Sequence, residues 1–171
     1  MNDQSTADWV SDAVDRFEGP LTIYAKRLLG GDVDRARDVV QDTFLRLWQA
    51  DRATVDGHLA KWLYTVCRNR SFDVHRKERR MTAVESKQME QTTPAAEQAE
   101  APPGCLVALV DGLPPRQQEA VRLKFQGELS YREIAEVMDT TVNNVGVLLH
   151  NAVRSIRTKL LDHDPTMRAS Q

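Results

Sequence analysis

Apolar side chains recur three and four residues apart along almost the whole chain, and no stretch alternates strictly between apolar and polar. That period belongs to helices with one buried face and argues against a sheet protein. It is interrupted once, across residues 81–104, where Gln, Glu, Thr, Ala and three prolines (Pro94, Pro102, Pro103) displace nearly every large apolar residue. Such a segment buries too little surface to offset its ordering entropy, so a flexible linker is expected there. The predicted fold class is therefore all-α. Two small helical domains, 8–80 and 105–161, are joined by the linker 81–104 and followed by a tail, 162–171. A length of 171 residues leaves room for two such domains.

Local signals place the helices. One runs from Asp8 to Glu18, with Trp9, Val10, Ala13, Val14 and Phe17 on one face. Gly19-Pro20 should interrupt it, Pro20 then opening a second helix with Leu21, Tyr24, Leu28 and Leu29 that stops at Gly30-Gly31. Asp32 or Asp34 can cap a third helix to Gln49. A polar loop, Ala50 to Asp56, leads into a long helix from Gly57 to Arg80. Four more are expected at 105–112, 115–126, 131–138 and 142–161. Ser130 with Glu133 three residues on is a capping-box pattern.

Composition excludes several function classes. The net charge of −2 hides a block at residues 61–80 with 7 basic and 2 acidic side chains, which points to a local anionic partner. Cys67 and Cys105 are too few for a disulfide scaffold and point to a reducing, cytoplasmic compartment. The start, Met1-Asn2-Asp3-Gln4, lacks a signal-peptide pattern, and no run approaches about 18 apolar residues, so membrane insertion is not expected. Phosphate-cradling glycine loops, His-Glu-x-x-His and Cys-x-x-Cys are all missing from the sequence. His58, Cys67, His75 and Cys105 lack metal-ligand spacing, and no catalytic residue, metal or cofactor is expected.

Three helical faces carry more than packing. On the helix 34–49, Ala36, Val39, Val40, Thr43, Phe44, Leu47 and Trp48 form an apparent core face. Opposite lie Asp38, Gln41, Asp42 and Leu45, suited to a basic partner helix, beside Arg46 and Gln49. On the helix 57–80, Leu59, Trp62, Leu63, Val66, Cys67 and Val74 are expected inside. Lys61, Tyr64, Thr65, Arg68, Asn69, Phe72, His75, Arg76 and Arg79 are expected outside, while Arg70 and Asp73 are read as a structural ion pair. Cations neutralise phosphates and rings stack on unpaired bases, a combination suited to single-stranded nucleic acid. The segments 130–138 and 142–161, joined by Asp139-Thr140-Thr141, read as a helix-turn-helix. Its second helix turns Val145, Leu149, Ala152, Val153, Ile156 and Leu160 inward. Asn143, Asn144, Val147, His150, Asn151, Arg154, Arg157 and Thr158 point outward.

The string from Asp38 to Trp48 (Asp-Val-Val-Gln-Asp-Thr-Phe-Leu-Arg-Leu-Trp) resembles the core-binding helix of bacterial sigma-70-type factors. Trp62 to Arg70, followed by a basic tail, resembles their promoter-melting helix. Leu113-Pro114-Pro115-Arg116-Gln117, then Gly127 to Ala135, is similar to their C-terminal DNA-binding domain. With only these two domains, the chain resembles the small extracytoplasmic-function (ECF) group. The resemblance implies that Asp38, Gln41, Asp42 and Leu45 bind the β′ coiled coil of core RNA polymerase. It implies that Lys61 to Arg80, with the loop 50–57, engages the non-template strand of the −10 element. It also implies that the helix-turn-helix reads the −35 element while its domain contacts the β flap, with the linker running through the polymerase. An anti-sigma factor is a further partner it implies.

One departure stands out. The family commonly has a polar or basic triplet, often Lys-Ser-Arg, where this chain has Gly146-Val147-Leu148. No arginine is left there to take guanine through O6 and N7. Asn143, Asn144, Val147, His150 and Asn151 are then the base-reading residues, with Arg154 and Arg157 placed for phosphates. Two other readings stay open at this point: a sigma mimic that sequesters an anti-sigma factor, and an ordinary helix-turn-helix regulator.

Overall fold

The computed structural model describes residues 3–85 and 106–163. These form eight helices and no strand: α1 (Asp3–Leu28), α2 (Val33–Gln49), α3 (Arg52–Val55), α4 (Leu59–Glu85), α5 (Leu106–Asp111), α6 (Pro115–Phe125), α7 (Tyr131–Val137) and α8 (Val142–His163). The chain divides into two compact units, α1–α4 and α5–α8. The expected linker beyond Glu85, the tail from Asp164 and Cys105 lie outside the described residues.

The first helix corrects an expectation. Gly19-Pro20 does not end it, and Pro20 sits inside a single 26-residue helix. An interior proline removes the hydrogen bond its nitrogen would donate to the Arg16 carbonyl, at a cost of about 3 kcal/mol. The apolar stripe explains why the helix continues. Val10, Ala13, Phe17, Leu21, Tyr24 and Ala25 keep their three- and four-residue steps across the proline, and all are buried. Breaking the helix would unseat half of that stripe, and each large side chain contributes about 1.5–3 kcal/mol on burial.

Helices α1, α2 and α4 pack on one another around Leu21, Tyr24, Leu47, Leu63 and Cys67. Asp32 caps α2, accepting from the Arg35 amide at 3.0 Å. The expected loop 50–56 contains a further turn of helix, α3, capped by Asp51 and anchored by the buried Val55. Where α2 meets α4 the seam is small and polar. Thr43 donates to the Val39 carbonyl (2.8 Å) and Ser71 to the Cys67 carbonyl (2.9 Å), so both buried hydroxyls are satisfied on their own helices. Helix α4 continues past Arg80 to Glu85.

In the second unit, α5–α8 enclose Leu113, Leu123, Leu129, Ile134, Met138, Val145 and Leu149. The capping box predicted from Ser130 and Glu133 is present in both directions. The Glu133 amide donates to Ser130 Oγ (3.3 Å), and the Ser130 amide donates to the Glu133 carboxylate (2.8 Å). Arg122 is almost fully buried and donates to the Asp111 carboxylate at 2.6 Å. Gln118 Nε2 donates to the Val110 and Asp111 carbonyls (3.1 and 3.0 Å), closing the C-terminal end of α5.

Candidate functional site

The exposed face of α2 carries Asp38, Gln41 and Leu45, the last 57% exposed. Trp48, assigned to the core face by its spacing, is instead 48% exposed. It lies three residues after Leu45, so the two extend one apolar strip along the outside of the helix. Sequence reasoning missed this residue, although the i, i+3 step from Leu45 was its signal. Asp42 departs the other way. Its Oδ2 is 2.5 Å from Arg70 Nε on α4 and 3.2 Å from Arg46 Nε, so it binds α2 to α4. The expected ion pair of Arg70 with Asp73 is present at 4.0 Å, longer than the contact with Asp42. A carboxylate between two guanidiniums belongs to the inner edge of the face.

Helix α4 sits rotated further round its axis than the apolar count suggested, because α1 and α2 both press on it. Tyr64 is the clearest consequence. Expected outside, it is fully buried, with its ring edge-on to Tyr24 at 5.1 Å between centroids. Trp62 and Val66, expected inside, are half-buried. The stripe that remains runs from Lys61, Thr65 and Arg68, which are themselves half-buried, to the exposed Phe72, Arg76 and Arg79, with Asn69 and Arg80 exposed beside it. Arg68 lies over the Phe72 ring at 4.6 Å, and the ring keeps 44% of its surface exposed. Arg76 is held by Asp73 at 2.6 Å. His75 turns away from this stripe. Its Nε2–H donates to the Leu28 carbonyl at the end of α1 (2.6 Å), and Nδ1 is 3.9 Å from Glu78. Glu78 also pairs with Arg35 of α2, so His75 serves the joint of three helices.

On α8 the faces fall largely as expected. Asn143, Val147, His150, Arg154, Arg157 and Thr158 are exposed, and Val145, Leu149 and Ala152 are buried. Val153 and Leu160, expected inward, are exposed. Asn144 and Asn151 are half-buried at the edge of the outward stripe. Gly146 adopts ordinary helical geometry, and a Cβ built on it would meet only Tyr131 Cε2, at 4.0 Å. Among the described residues no group of three or more His, Cys, Asp or Glu could hold a metal ion, and no helix is long and apolar enough to cross a membrane.

The cations and the ring on α4, the apolar-acidic strip on α2 and the amide-rich face of α8 are three separate exposed surfaces with distinct chemistry. Comparison with known proteins gives them a context. Residues 13–81 match the Sigma-70 region 2 family and residues 104–156 match Sigma-70, region 4. The chain is 32% identical over 154 residues to the ECF RNA polymerase sigma factor SigL of Mycobacterium tuberculosis, covering 85% of each. It is 25% identical over 172 residues to the ECF RNA polymerase sigma factor SigW of Bacillus subtilis, covering 91% of this chain and 90% of that one. Among solved structures it superposes on the sigma factor RpoE of Bartonella quintana, determined in complex with the anti-sigma factor NepR, with a TM-score of 0.62 and 21% identity. That superposition covers 90% of this chain and 96% of the other. With a helical bundle matching region 2, a helix-turn-helix unit matching region 4 and relatives alike over most of its length, the chain belongs to the sigma-70 family as an ECF sigma factor.

Proposed function

We propose that this ECF sigma factor divides promoter recognition and opening among the three exposed faces. Asp38, Gln41, Leu45 and Trp48 on α2 dock on core RNA polymerase, at the β′ coiled coil. Lys61, Arg68, Asn69, Phe72, Arg76 and Arg79 on α4 hold the opened non-template strand of the −10 element. The outward face of α8 reads the −35 element, and its unit contacts the β flap. An anti-sigma factor is a second protein partner, as RpoE has in its complex. The place of action is the cytoplasm, where core polymerase works.

The observation that carries this reading is the Arg68–Phe72 pair on a cationic stripe. An exposed ring beside a guanidinium offers an unpaired base a stacking platform with a phosphate contact next to it. Duplex DNA cannot use such a platform, because its bases are already stacked. Tyr64 and His75 take no part in strand capture, since their rings are committed to α1.

The test measures open-complex formation by holoenzyme on a promoter selected for it, as duplex and with the −10 region already mismatched. Stacking is worth about 1–3 kcal/mol per base, so Phe72→Ala should slow opening of the duplex by about 5- to 160-fold. Core binding should be unchanged, and the mismatched promoter should restore much of the loss. Equal impairment on both templates would refute the strand-capture role.

A further inference from the structure

The turn between α7 and α8 is closed twice over. Asp139 adopts a left-handed conformation (φ 50°), the Thr140 amide donates to the Ala135 carbonyl (2.9 Å), and the Asp139 amide to Glu136 (3.4 Å). This is the two-bond closure that ends a helix and fixes the residues after it. Thr141 then starts α8. Its hydroxyl accepts from the Asn144 amide (3.2 Å), and its carbonyl from the Val145 amide (3.0 Å). Thr140, held by Ala135, offers its hydroxyl oxygen to the side chain of Asn144, whose Nδ2 donates to it at 2.8 Å.

Asn144 is therefore held at both ends, its backbone by Thr141 and its carboxamide by Thr140. A free asparagine amide turns readily and can present either its oxygen or its NH2 group to a ligand. Here one N–H is spent on Thr140, which leaves Oδ1 and the second N–H. That remaining acceptor–donor pair matches adenine, which offers the N6 amino group as donor and N7 as acceptor in the major groove. Guanine offers two acceptors there, so an outward-turned Oδ1 finds no proton on it.

We propose that Thr140 is a positioning residue for −35 recognition: its hydroxyl holds the Asn144 amide with Oδ1 outward and so builds in a preference for adenine at one base pair. This rests on the reading of α8 as the −35 helix. It places part of the specificity in the turn, outside the recognition helix, in a chain that lacks the family's usual basic triplet. The half-burial of Asn144 at the edge of the outward stripe accords with one fixed contact rather than a sweeping one.

The experiment selects binding sites for holoenzyme from a library randomised over the −35 region, with the native chain and with Thr140→Val, Thr140→Ser, Asn144→Ala and Arg154→Ala. The native chain should prefer adenine at one position by about fivefold or more, the range of a good bidentate contact. Asn144→Ala should abolish that preference, Thr140→Val should reduce it to twofold or less at the same position alone, and Thr140→Ser should keep it. Arg154→Ala should weaken all sequences alike and flatten the salt dependence. A Thr140→Val profile identical to the native one, or an affinity loss spread evenly over all sites, would overturn the positioning role. A native preference for guanine at the position lost in Asn144→Ala would overturn the amide orientation. If neither Asn144→Ala nor Arg154→Ala changes any preference or affinity, the assignment of α8 to the −35 element itself falls. A circular-dichroism melt of each variant separates these results from misfolding.

Discussion

Gly146→Ala should stabilise the second unit, although it alters the second turn of the helix proposed to read DNA. Glycine in a helix interior is about 0.5–1 kcal/mol worse than alanine, because the unfolded chain has more freedom to lose. The benefit is realised only where the new methyl fits. At Gly146 the φ angle is not positive, and the added Cβ would lie 4.0 Å from Tyr131 Cε2, an ordinary van der Waals distance. No steric cost offsets the gain, and contact with the ring adds slightly to it. The net expectation is about 0.5–1 kcal/mol, which raises the melting temperature of a unit this size by roughly 2–8 °C. The chain supplies its own controls. All three tryptophans, Trp9, Trp48 and Trp62, lie in the first unit, so their fluorescence follows that unit, whereas far-ultraviolet circular dichroism follows both. Gly146→Ala should move a circular-dichroism transition upward and leave the tryptophan transition in place. A lowered or unmoved circular-dichroism midpoint would show that the Tyr131 side of α8 has no room, and would refute the reasoning.

Tyr64→Ala should destabilise the first unit by about 3–5 kcal/mol, since it empties a fully buried aromatic site and removes the edge-on contact with Tyr24. Tryptophan-detected denaturant unfolding checks this, and a variant as stable as the native chain would return Tyr64 to the surface. The Cys67 thiol is pushed up to about 12 by burial, against the smaller lowering from hydrogen bonds with Thr43 and Ser71. The folded state therefore favours the protonated thiol, and the stability this lends is present below about pH 9 and is lost as the pH rises towards 12. At pH 8 iodoacetamide should modify Cys67 far more slowly in the native chain than in urea, as peptide mapping would show; equal rates would contradict its burial.

Fold class and most helix boundaries are legible along the chain, because they depend on residues close together in sequence. The three-and-four spacing of apolar residues, Asp32 as a cap, the reciprocal Ser130–Glu133 box and Pro115 at the start of α6 act within one or two turns of helix. The same locality underlies the sigma-type strings, and the exposure of Asn143, Val147, His150 and Arg154 follows the helical period of α8.

The sequence face of α2 is mostly right, with Ala36, Val39, Val40, Thr43 and Leu47 buried, but several individual positions on α2 and α4 are set by contacts between helices. On α4, contact with both α1 and α2 buries Tyr64 and Ser71, positions that an apolar count along the helix does not mark as inward. At the end of α2, Leu47 takes the buried position and the neighbouring Trp48 ring remains outside. Charge pairing has a non-local part too: Arg70 meets Asp73 on its own helix at 4.0 Å, but its shorter contact, 2.5 Å, is with Asp42 on α2, which spacing along the chain does not show. Pro20 shows the balance in energies. Its local signal to stop the helix is worth about 3 kcal/mol, and the buried stripe on either side of it, from Val10 to Ala25, is worth several times that once α2 and α4 are in place.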